Sequence, residues 1–240
     1  MVGVVWLDTY ERRARLVPGL LLVAPVAIVV VMFGLRSNPV VSAILGALTA
    51  FGAPLILANF VRHRGVAAQD ALYASWGGKP TTELLETGTT ARARRWRAAA
   101  QQVTGERFPE TDEPDPEGRY DAAVATLISK TRDARTFPMV FNENCNYGYE
   151  RNLYGLTALG RVTAAVCLAA SGIAVGLLIA VSGRIVRAEW VIGLVALAAL
   201  LIVWIALPSS SRARVTAYKY AEQLLDAGVE LAANASPESA

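Results

Sequence analysis

Four apolar runs leave this chain few ways to fold. The first, LVPGLLLVAPVAIVVVMFGL at residues 16–35, holds no charged side chain. The others are VVSAILGALTAFGAPLILANFV at 40–61, VTAAVCLAASGIAVGLLIAVSG at 162–183 and WVIGLVALAALLIVWIAL at 190–207. A helix of about 20 apolar residues crosses ~30 Å of hydrocarbon, and each run has roughly that length. RSNP joins the first two, and RIVRAE joins the last two. The expected fold is an all-α integral membrane protein, with four transmembrane helices arranged as two hairpins. A composition 54% hydrophobic and only 18% charged agrees with this. The first run lacks a clear small-residue cleavage site, so it is expected to stay as a membrane helix.

Lysine and arginine set the expected orientation. YERRAR precedes the first run, RHR follows the second, Arg151 and Arg161 lead into the third, and RARVTAYK follows the fourth. The short turns carry only Arg36, Arg184 and Arg187. The positive-inside rule then puts both termini and the long middle region in the cytoplasm. Four parts result: an N-terminal segment with the first hairpin (1–61), a mainly helical cytoplasmic domain (62–160), the second hairpin (161–208) and a C-terminal amphipathic helix with a tail (209–240). Trp190 and Trp204 are expected as interfacial anchors.

Within the middle region, RHRGVAAQDALYASW reads as a helix that stops at Gly77–Gly78, and KPTTELLE as a short turn restarting after it. TTARARRWRAAAQQV reads as a Thr-capped helix. RYDAAVATLISKTRDARTF reads as another helix, and FPMVF is the one stretch with a strand-like pattern.

Three groups of residues are candidate sites. Arg92, Arg94, Arg95 and Arg97 surround Trp96, and guanidinium forks fit phosphate oxygens. The plainer reading is a basic helix lying near anionic headgroups. The segment FNENCNYGYERNLYGL at 141–156 supplies Asn144, Asn146, Tyr147 and Arg151 as hydrogen-bonding or stacking groups, while Gly148 and Gly155 permit tight turns or close backbone approach. The plainer reading is a junction that satisfies backbone groups at the membrane boundary. After the last run, Glu222, Asp226 and Glu230 recur every four residues on one helix face. They form either a solvated face or acidic rings below a pore. Two small-residue stripes, Ser42–Gly46–Ala50 and Gly172–Gly176–Ala180, are spaced for tight helix packing, first of all inside one subunit.

The chemistry excludes more than it assigns. One histidine and two isolated cysteines make no zinc site, and no catalytic constellation is visible, so neither metal, cofactor nor enzyme activity is expected. No run carries an ionisable group at mid-depth, which argues against ion-coupled transport.

FNENCNYGYERNLYGL resembles a motif of bacterial four-span proteins. In its architecture, two hairpins with a cytoplasmic domain between them, the chain resembles the small four-span membrane effectors of bacterial nucleotide-signalling anti-phage systems, and most of all the membrane subunit of Hailong-type systems. That resemblance implies a homo-oligomeric ion channel in the bacterial inner membrane, with four subunits as the expectation. It further implies gating by a nucleotide or single-stranded nucleic acid and a nucleotidyltransferase as partner. The alternative is a non-conducting scaffold that holds a cytoplasmic partner at the lipid bilayer.

Overall fold

The computed structural model describes residues 8–50, 52–86, 90–105, 107–108, 116–183 and 185–235. All the regular structure among them is helical. The helices are α1 (Thr9–Met32), α2 (Pro39–Ala50), α3 (Ala53–Trp76), α4 (Pro80–Glu86), α5 (Ala91–Thr104), α6 (Pro116–Lys130), α7 (Pro138–Gly155), α8 (Thr157–Ser182), α9 (Ala188–Ala206) and α10 (Ser210–Ala235). Three of these, α1, α8 and α9, are long and apolar enough to cross a membrane.

The second apolar run does not form one helix. It divides into α2 and the start of α3, with Gly52 at φ 81° between them. Only glycine adopts that backbone readily, and Pro54 follows in the first turn of α3, where a proline is tolerated. With 12 residues, α2 reaches about 18 Å at 1.5 Å per residue, short of the hydrocarbon thickness.

The chain divides into two compact units. The first comprises Met1–Ala68 and Gly148–Ser210. Here α1, α8 and α9 pack on one another. Their core includes Leu22, Val61, Leu153, Leu156, Ala164 and Trp204, with a second cluster at Met32, Val175 and Trp190. Both tryptophans are therefore packing residues, at 0% and 3% exposure, and not the interfacial anchors expected of them. A side chain at Gly160 would meet the Trp204 ring at 2.2 Å, and one at Gly193 would meet Met32 Sδ at 2.3 Å. These glycines let large side chains fill the space between helices.

The predicted stripes do not do this within the chain. Gly46, Gly172 and Gly176 have no atom within 4 Å of where a Cβ would stand, and Ser42 and Ala180 are exposed. Ala50 lies outside the side chains described. Packing inside one subunit is thus corrected for these positions: the described stripe residues face outward.

The second unit comprises Gln69–Tyr147 and Ser211–Ala240. The C-terminal helix α10, read from sequence as a separate part, belongs to it. Leu85, Trp96, Tyr120, Leu127, Leu224 and Leu225 contribute to one core, with Phe108 stacked on Tyr120 at 4.9 Å. Helix α5 forms as its sequence predicts. Thr90 Oγ1 accepts from the Ala93 amide at 3.2 Å, and Gly105 ends the helix at φ 76°. Ala93, Trp96, Ala99 and Ala100 turn inward at helical spacing. Helix α3 ends before Gly77 and Gly78, both at positive φ. Two expectations are corrected. Helix α6 ends at Lys130 rather than running to Phe137, because Asp133 accepts from the Arg135 amide and the Thr136 hydroxyl in a local turn. FPMVF is not a strand: Pro138 opens α7, with its fixed φ at the first helical position.

Candidate functional site

Helix α5 presents its arginines in two different states. Arg92 Nη1 donates to Glu222 Oε2 at 3.0 Å, and Nη2 donates to Asp226 Oδ2 at 2.8 Å. Its guanidinium lies 4.5 Å from the centre of the Trp96 ring, and the indole Nε1 donates to Asp226 Oδ1 at 2.7 Å. The hydrogen bond that Arg92 donates to Asp226 does most to hold the guanidinium above its ordinary value. Arg97 turns the other way. Its Nε and Nη2 reach the Leu85 carbonyl at 3.0 and 2.7 Å, and Nη2 also meets the Glu86 carbonyl and the Tyr120 hydroxyl. It thereby serves carbonyls in the last turn of α4, where a helix generally leaves its carbonyls without intrahelical donors. Arg94 and Arg95 are exposed and make no side-chain bond to the described residues.

The basic cluster thus separates into a structural pair and an open pair. Trp96 is 4% exposed, so its ring belongs to the core and to Arg92 and is closed to a ligand's base. The acidic stripe and the basic helix, read separately from sequence, meet here. Glu222 and Asp226 face α5 within one chain, and Glu230 is exposed further along α10. Nothing in the sequence marked this pairing, because the partners lie 130 residues apart.

Earlier on α10, the Tyr218 hydroxyl bonds Glu83, with Arg214 Nη2 at 3.4 Å from the same oxygen. Burial and then the Glu83 bond push the Tyr218 phenol up. Gln102 continues the seam, its Nε2 donating to the Ala232 carbonyl at 3.1 Å.

The 141–156 segment is helical and falls on both sides of the division between units. In the second unit, Tyr147 is buried, donates to the Tyr73 hydroxyl at 3.0 Å and stacks on Tyr220 at 6.3 Å. It is a core residue, not an open stacking platform. Asn146 is exposed and its Nδ2 lies 3.4 Å from Glu143 Oε2, while Asn144 is half-buried.

In the first unit, the segment makes a close helix crossing. Asn152 is fully buried and its Nδ2 donates to the Ala14 carbonyl at 2.7 Å. Arg151 Nη2 lies 3.5 Å from Asn152 Oδ1. The reason for the buried amide lies in α1. An α-helical bond to the Ala14 carbonyl would come from residue 18, which is proline and has no N–H. The ring also crowds that carbonyl, and Arg12–Leu16 widens into a π-type turn, with the Val17 amide bonded to the Arg12 carbonyl. Asn152 supplies a donor for the displaced oxygen.

Glycines bring the helices together. A Cβ at Gly65 would fall 1.8 Å from Asn152 Oδ1, one at Gly155 would fall 2.5 Å from the Arg64 carbonyl, and one at Gly148 would fall 2.8 Å from the Tyr10 hydroxyl. Of the two roles expected of Gly148 and Gly155, close approach holds and tight turns do not. Sequence reading missed the Pro18–Asn152 relation. Its signal was a proline four residues after Ala14 and an asparagine between two glycines on one helix face.

Comparison with protein-family models, with curated proteins and with solved structures finds no match. The functional reading rests on these residues alone.

Proposed function

We propose that the protein is a non-enzymatic membrane effector of a bacterial inner membrane, a homo-oligomeric pore opened by a phosphate-bearing nucleotide or oligonucleotide. The observation that carries this reading is the open pair Arg94 and Arg95 beside an accessible Arg92, on a helical unit continuous in sequence with a bundle of membrane-length helices. Two unpaired guanidinium groups on one turn suit a polyanion with closely spaced phosphates. The outward stripe at Gly172, Gly176 and Ala180 supports assembly, since small residues let a neighbouring backbone approach.

In this proposal the second apolar run also crosses the bilayer, as a broken span, giving four spans with both termini cytoplasmic. Broken helices are tolerated at membrane depth where protein or water covers the freed backbone groups, which suits a pore. A nucleotidyltransferase would supply the signal.

The test is binding and conductance on the reconstituted protein. The wild type should bind a fluorescein-labelled single-stranded tetranucleotide with an affinity that falls steeply with salt, and the ligand should raise the current. Arg94→Glu with Arg95→Glu should abolish both. If the wild type binds only anionic liposomes, at any salt concentration, and passes no current, the basic face is a lipid contact and the pore reading is wrong.

A further inference from the structure

Arg92 already holds two anions. Glu222 and Asp226 sit on its two terminal nitrogens at 3.0 and 2.8 Å, the arrangement by which a guanidinium fork grips two phosphate oxygens. We propose that these carboxylates occupy the phosphate position, so that the C-terminal helix masks part of the ligand site until a phosphate displaces it. The inference rests on the ligand-gated reading and adds its regulation: the chain carries its own competitor.

Three features carry it. All three side chains stay reachable from water, at 51% exposure for Arg92 and 39% and 42% for Glu222 and Asp226. An ion pair so exposed contributes little to stability, so an incoming phosphate exchanges with it at low cost. Arg95, one turn along the same face of α5, is unpaired among the described residues, which gives a ligand a foothold before Arg92 is released. Finally, Trp96 donates to Asp226 Oδ1 and keeps that carboxylate facing the arginine, so the competitor is held in register. With two carboxylates set against Arg92 and Arg95, the face they share on α5 is about neutral at rest; freed of them it becomes positive.

The consequence has a sign opposite to that of an ordinary supporting contact. Removing the acids should improve binding. Glu222→Gln with Asp226→Asn keeps an acceptor for the Trp96 indole and removes both charges. In full-length protein in lipid nanodiscs, this variant should bind the labelled tetranucleotide about tenfold more tightly than wild type, with a steeper salt dependence because more phosphates are neutralised. Glu222→Gln alone, which leaves Asp226 in place, should shift affinity in the same direction by less, and it serves should the double variant fold poorly. Saturating ligand should speed amide exchange across residues 218–230 of the wild type. Equal affinity for wild type and both variants overturns the masking while leaving the ligand reading in place. No binding by any of the three overturns both.

Discussion

Two sets of glycines in the membrane-helix unit do opposite things, and the four-residue spacing of the predicted stripe marks the set that stays open. Gly65, Gly148, Gly155 and Gly160 lie under another side chain or backbone closer than 3 Å to the missing Cβ. Gly172 and Gly176 on α8, like Gly46 on α2, have nothing within 4 Å. Spacing alone therefore does not say whether a small residue packs within its own chain. What decides it is the bulk opposite: the Trp204 indole demands Gly160, and the Asn152 amide demands Gly65. The open set is left for whatever lies outside the chain.

Substitution should separate the two sets. The largest effect is expected at Gly160→Leu, where a side chain would collide with a fully buried tryptophan. Overpacking of this kind costs about 3 kcal/mol at the upper end of its usual range, and a ring that cannot move pushes beyond it. Thermal unfolding in detergent measures the loss; a variant as stable as wild type would show that Trp204 swings aside.

Next comes Asn152→Ala, which leaves the Ala14 carbonyl without its donor. A buried polar group left unsatisfied costs about 1–3 kcal/mol. The same variant in a Pro18→Ala background should cost less, because residue 18 then regains an N–H for the Ala14 carbonyl. An unchanged cost in that background would break the link between the two residues.

The smallest effect is expected at Gly172→Leu and Gly176→Leu, with stability of the detergent-solubilised single chain within about 0.5 kcal/mol of wild type. Under the proposed assembly, these variants should nevertheless lose the oligomer in a mass measurement. A retained oligomer would assign the open stripe to lipid.

Outside the membrane helices, pH offers a milder comparison. The Thr136 hydroxyl bond holds the Asp133 carboxyl below its ordinary value. Its contribution is therefore present above the unfolded carboxylate range and lost as pH falls through the lowered value. Asp133→Ala should remove that contribution, lowering thermal stability slightly at pH 7 and converging on wild type in acid, where the wild-type carboxylate is protonated.

Legibility followed the range of the interaction. Helix α5 was readable because its cap, its stop and its inward stripe all lie within residues 90–105. Three membrane-length helices were readable because hydropathy sums over one continuous run. The second run defeated the same sum: transfer energy ignores whether the backbone stays helical, and Gly52 breaks it. Trp190 and Trp204 were misread because a tryptophan near the end of an apolar run suits an interface and a core equally well. The Arg92–Asp226 contact was invisible because each side had a sufficient local explanation, a basic helix and a solvated acidic face. The 141–156 segment looked like a ligand site for its density of polar groups, yet Tyr147 and Asn152 spend theirs on the chain itself.

Arg161 carries a consequence for biosynthesis. Its Nε donates to the Trp204 carbonyl at 3.1 Å and its Nη2 to that of Ile205 at 3.3 Å, at the C-terminal end of α9. Those acceptors are made 43 and 44 residues after the arginine. In the proposed membrane setting, the guanidinium finds its partners in water or headgroups until those acceptors emerge, which would hold the start of α8 at the boundary during insertion. Once α9 arrives, the same group closes over carbonyls that its helix leaves unpaired. The order of synthesis thus turns one side chain from a depth marker for a nascent helix into a clasp on the finished pair.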